Sequence, residues 1–112
     1  MKNQVKILGT NYKILEQDES ENQKLKLLDA NGLCEPFAKE IVICKFEEHA
    51  CNYKNFEEYR KKVLRHEIVH AFFMESGLVR YMEDEELVDW IALQFSKMHR
   101  AMCEADCLEK VT

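Results

Sequence analysis

Apolar residues fall into two regimes along this chain. Up to residue 44 they come in short runs broken by turn-forming residues, and beyond residue 55 they recur at three- and four-residue intervals. Val5-Lys6-Ile7-Leu8 and Tyr12-Lys13-Ile14-Leu15 are β-prone and flank Gly9-Thr10-Asn11, which predicts a hairpin. Residues 16–24 are polar and acidic and read as a loop, and Leu25 to Leu28 fit either a strand or a helical turn. Asn31-Gly32 is a turn signal. Leu33-Cys34 then leads past Pro36 to Glu40-Ile41-Val42-Ile43-Cys44, the clearest strand in the chain. Together these segments predict a small antiparallel sheet.

The helical regime opens at Asn55, a capping residue with Glu58 three positions on, as in a capping box. The helix should run to Ser76, with Gly77 as its stop. Residues 77–83 make a connection, and Asp84 caps a second long helix reaching to about Cys103, in which Leu87, Val88, Ile91, Ala92, Phe95 and Met98 keep helical spacing. Strands first and helices last is the order of an α+β fold. At 112 residues the chain is read as one domain, 1–112, with a single core.

The first helix carries His66-Glu67-Ile68-Val69-His70. Histidines four apart lie one turn apart on one face, so two neutral imidazole nitrogens can converge on one tetrahedral metal ion, and the carboxylate between them can reach an activated water. That pattern fixes only three positions, and two ordinary histidines beside a solvated glutamate would produce it too. The flanks decide: Val63, Leu64, Ala71, Phe72, Phe73 and Met74 make the helix apolar nearly all round, as in a buried helix. Burying three ionisable groups there is unfavourable unless something pairs with them, and a metal would do so.

A catalytic zinc commonly has three protein ligands and one open position. The second helix begins Glu83-Asp84-Glu85-Glu86, carboxylates that also complement its positive N-terminal end. Glu85 shares a face with Val88, Ala92 and Phe95 and should project with them toward the core; Glu86 shares its face with Trp90, Leu93 and Lys97. His99 competes for the place, but it lies about 21 Å beyond Glu85 along the same helix, so only one of the two can reach the metal. Glu85 is the expected ligand, because the 14 residues between His70 and Glu85 let the second helix fold straight back across the first.

With those residues in place a resemblance can be stated. Val63 to Phe72 resembles the extended signature of zincins, and Glu85-x-x-Val88-Asp89-x-Ile91-Ala92 is similar to the Glu-x-x-Ala-Asn-x-Phe-Ala stretch of ImmA/IrrE-like peptidases, with Val88 for alanine and Asp89 for asparagine. The layout over residues 63–92 looks like that of small phage and prophage-borne metallopeptidases of the gluzincin type. The resemblance implies a minimal zincin-like architecture, Zn²⁺ held by His66, His70 and Glu85, Glu67 as general base, and Asp89 orienting a ligand histidine. It further implies a peptide or protein substrate, such as a repressor, laid along the edge of strand 40–44. Tyr81 and His99 are the candidates for stabilising an oxyanion. A three-histidine site with His99 would instead be like that of SprT-like proteins. The rival class is a non-catalytic, zinc-stabilised phage accessory or binding module built on the same residues.

Composition narrows the picture. Hydrophobic residues make up 46% and charged residues 33%, an ordinary globular balance. A net charge of −5 leaves no electrostatic footprint for nucleic acid, and the basic patch Lys61, Lys62 and Arg65 has Glu57 and Glu58 one turn earlier, as on a solvated, self-paired face. The N-terminus lacks an apolar signal region and no run is long enough to span a bilayer, so a cytoplasmic protein without membrane partners is expected. Five cysteines, at 34, 44, 51, 103 and 107, are odd in number and lack C-x-x-C spacing, which points to free thiols in a reducing compartment. Cys103 and Cys107, four apart, could share a metal, but packing accounts for them as well.

Overall fold

The structure is a computed structural model that describes residues 2–45 and 55–110; Cys51 lies outside them. Four strands, β1 (Gln4–Ile7), β2 (Thr10–Gln17), β3 (Gly32–Glu35) and β4 (Glu40–Cys44), form one sheet in the order β1-β2-β4-β3. A short helix α1 (Gln23–Leu27) separates the two hairpins, and α2 (Phe56–Glu75), α3 (Val79–Met82) and α4 (Glu85–Glu104) follow. The fold is α+β, a sheet followed by two long helices.

The sheet is mixed rather than antiparallel throughout. β1 and β2 are an antiparallel hairpin and so are β3 and β4, but β4 lies parallel to β2, with Ile14 opposite Ile41 and Glu16 opposite Ile43. The reason lies in β4 itself. Ile41 and Ile43 pack with Ile7, Tyr12 and Ile14 and with Val63 and Ala71 of α2, while Val42 and Cys44 pack with Leu25 and Leu33 on the opposite face. A strand apolar at four successive positions, Ile41 to Cys44, is buried on both faces, and such a strand belongs in the middle of a sheet. β4 therefore cannot be an edge, and β3 takes that place. Leu25 is fully buried in this second cluster, and Asn22 caps the turn that carries it by accepting from Lys24 N, so the ambiguous run 25–28 resolves as the end of a helix.

Local chemistry sets the other boundaries. Ile7 pairs with Thr10, leaving a two-residue turn in which Leu8 and Gly9 both have positive φ (50° and 86°), the conformation that matches strand twist in tight hairpins. The side chain of Asn55 accepts from Glu58 N at the start of α2, and Ser76 closes that helix before Gly77 turns left-handed at φ 77°. Asp84 accepts from Leu87 N and starts α4.

The α2 surface is not apolar all round in its surroundings. Its buried residues, Val63, Glu67, His70 and Ala71, form one stripe against the sheet, while Phe72 is exposed. At the far end of that stripe Glu75 accepts from Thr10 Oγ1 (2.8 Å), Tyr12 OH (2.6 Å) and Lys39 Nζ (2.9 Å), which fastens the end of α2 to both hairpins. Lys61 pairs with Glu58 on the outer face, and Arg60 pairs both with Glu57 and with Glu16 of β2. Among the described residues no helix is long and apolar enough to cross a membrane.

Candidate metal centre

The i, i+4 spacing on α2 places the His66 and His70 Nε2 atoms 3.2 Å apart. From the first turn of α4 the two oxygens of Glu85 each face one of them, Oε2 at 2.9 Å from His66 Nε2 and Oε1 at 3.0 Å from His70 Nε2. Ligands on a tetrahedron with bonds of about 2.0–2.1 Å sit about 3.3 Å from one another. The three side chains thus already stand close to the edges of such a polyhedron, and they form a group that could hold a metal ion. The donor set fits as well: two imidazoles and one carboxylate suit a borderline divalent ion.

The supporting contacts orient each imidazole. Asp89, one turn after Glu85, lies 3.3 Å from His66 Nδ1, and the backbone carbonyl of Met82 accepts from the His70 ring. His70 is mostly buried, and that burial, helped by the neighbouring His66, keeps its pKa below the usual histidine value against the pull of Glu85. A neutral ring is the form that binds metal.

Glu67 occupies the middle of the buried stripe, only 6% exposed. Among the described residues no hydrogen-bond donor reaches its carboxylate. Burial, and then the charge of Glu85, push its pKa up to about 8. Strand β3 closes over it at Gly32: a Cβ there would stand 2.6 Å from Val63 Cγ1 and 3.1 Å from Glu67 Oε2. Gly32 is thus a point of close approach as well as a turn residue, and the amide of Asn31 next to it donates to the hydroxyl of Tyr59 on α2. Burial and the nearby carboxylate of Glu67 also drive the Cys34 thiol up to about 12, so it stays protonated.

A cleft of about 800 Å³ opens over these groups, walled by Asn31, Gly32 and Cys34 on one side and by Met82, Glu85 and Asp89 on the other. Because Cys44 N–H donates to Asn31 C=O, the alternation of the antiparallel ladder turns the backbone groups of Gly32 and Cys34 away from β4, along an edge that no strand of the described residues pairs with.

No protein-family model, curated protein or solved structure matches this chain.

Several expected placements change. The edge that lines the cleft belongs to β3, not to strand 40–44, which is interior. Glu85 does not project into the core: Val88 and Ala92 of its face are buried, but the Glu85 side chain is 68% exposed at the cleft rim and Phe95 is exposed too. Among the described residues the helix is covered where α2 and α3 back it. Tyr81 rests on Phe73 at 6.1 Å and His99 stacks on Phe95 at 6.1 Å, and neither lines the cleft. His99 has the Cys103 thiol 3.9 Å away on its own helix, while Cys107 lies beyond the helix end against Met102 O, so the two cysteines do not converge. Gly32 and the Met82 carbonyl are site elements that the motif did not reveal. A glycine opening a strand is a signal for the first, whereas a backbone acceptor leaves none.

Proposed function

We propose that this chain is a zinc-dependent peptidase of the gluzincin type, in which His66, His70 and Glu85 hold Zn²⁺ and Glu67 is the general base. The observation that carries the reading is the buried, donor-free carboxylate of Glu67 beside three converging metal-ligand atoms, at the floor of an open cleft. Bound zinc would supply a Lewis acid that acidifies water and polarises a peptide carbonyl. The protein's own part follows from its geometry. With a cation held by the three ligands, the nearby positive charge would keep Glu67 ionised in spite of its burial; as the carboxylate it takes a proton from water and then gives it to the leaving amine. Asp89 and Met82 keep both imidazoles turned toward the site. The free backbone groups of Gly32 and Cys34 bind an extended peptide by strand addition. A protein substrate such as a repressor, in the cytoplasm, agrees with the resemblance of residues 63–92.

A zinc that only braced α2 against α4 would have no use for an ionisable Glu67. The test is therefore paired. Elemental analysis should find one zinc per chain, reduced far more by Glu85→Ala than by Glu86→Ala, and by about 10–100-fold in affinity for Asp89→Ala. Cleavage of an unfolded test protein should require that zinc and vanish with a chelator. A chain that folds without metal and ignores added zinc would overturn the reading.

A further inference from the structure

The side of α4 that looks away from α2 carries Glu86, Trp90, Leu93, Lys97, Arg100 and Glu104, all exposed and opposite the buried Val88 and Ala92. Their steps alternate between four and three residues, the spacing of a seam between two packed helices. Trp90 is 54% and Leu93 42% exposed, a large apolar pair held in water in the N-terminal half of the helix. Charge is graded along the same side. Glu104 ends the strip, outside the overlap of the two helices in the register below; within it, Glu86 makes the N-terminal part acidic, and Lys97 and Arg100 make the part beyond the apolar pair basic. Among the described residues none of Glu86, Lys97 and Arg100 makes an ion pair within the chain.

We infer that this side of α4 binds a second copy of the chain, the two α4 helices packing antiparallel about a twofold axis that passes between residues 91 and 92. In that register Trp90 of each copy meets Leu93 of the other, and Glu86 meets Lys97, so that every contact occurs twice. Charge complementarity selects the occupant. A twofold interface must be complementary to itself, and a strip that runs acidic, apolar, basic becomes so when a copy is laid on it in reverse. A parallel copy would set Glu86 against Glu86 and Lys97 against Lys97. Two apolar side chains per copy make a small contact, so the dimer is weak, with a dissociation constant on the order of tens of micromolar.

Trp90 is the chain's single tryptophan, which makes the seam self-reporting. Sedimentation of the full chain from about 5 to about 500 µM should show monomer passing to dimer, with a blue shift of tryptophan emission over the same range. Lys97→Glu should weaken the dimer by about tenfold or more, Glu86→Lys similarly, and the two together should restore it to within about threefold. All of these positions are exposed, so far-UV circular dichroism should stay unchanged. A monomer throughout the range overturns the inference, and so does a dimer that Lys97→Glu leaves intact.

Discussion

Glu67 and Glu75 stand about two turns apart on the same face of α2, and the fold treats them in opposite ways. Glu75 receives three donors, and these hydrogen bonds, that from Lys39 foremost, bring its pKa down to about 2. Glu67 receives none from the described residues, and burial lifts it to about 8. Burial and partners decide the contrast together, burial foremost for Glu67 and the donated hydrogen bonds for Glu75. One carboxylate is satisfied and becomes a fastener. The other faces a cleft with no donor from the described residues, and a mostly buried carboxyl with a raised pKa in such a place is a candidate for proton transfer.

The largest test of this contrast is catalytic. Glu67→Gln should lower peptide cleavage by about 10²–10⁴-fold while zinc content stays the same, whereas Glu75→Gln should lower the melting temperature and leave the turnover of the folded enzyme within a few-fold. Equal losses for the two would erase the distinction.

Next comes pH. In metal-free protein Glu67 binds its proton more tightly folded than unfolded, so its contribution to stability should fall as pH rises from about 5 to about 8, by on the order of 3–4 kcal/mol. Glu67→Gln should remove that fall. Glu75 has the opposite sign: its folded pKa is depressed, so its contribution is present above about pH 5 and is lost as pH drops toward 2. Glu75→Gln should flatten the acid limb alone. Urea melts with chelator across this range would read both.

Smaller effects probe what surrounds each carboxylate. Gly32→Ala drives a methyl group into Val63 and Glu67 and should destabilise by about 1–3 kcal/mol, as overpacking does, while pushing β3 off the cleft. Tyr12→Phe removes one donor to Glu75 and should cost about 1 kcal/mol in denaturant unfolding.

How much of this could be read from sequence depended on distance along the chain. The caps at Asn55 and Asp84 and the stop at Ser76-Gly77 are local, and the long helices begin and end where those residues place them. His66, Glu67 and His70 are equally local, one turn of one helix. The parallel pairing of β2 with β4 is not, because it depends on α1 covering the second face of β4, and Leu25 to Leu28 did not disclose a helix. Glu85 lies between these cases. Periodicity placed Val88 and Ala92 inward, but only the crossing of α4 over α2 shows that Glu85 reaches the histidines from an exposed rim. Gly32 and the Met82 carbonyl act through backbone, where side-chain pattern is silent.

The junction of the two hairpins also bears on how the chain folds. Each hairpin closes over a few residues, whereas setting Ile14 beside Ile41 requires a much longer loop, whose closure entropy must be met before the pairing gives anything back. The hairpins should therefore form early and their junction late. Glu75 draws Thr10 and Tyr12 from one hairpin and Lys39 from the other, so its three bonds can coexist only after that junction is made. Losing them should speed unfolding far more than it slows folding, which makes this carboxylate a brake on the escape from the native state.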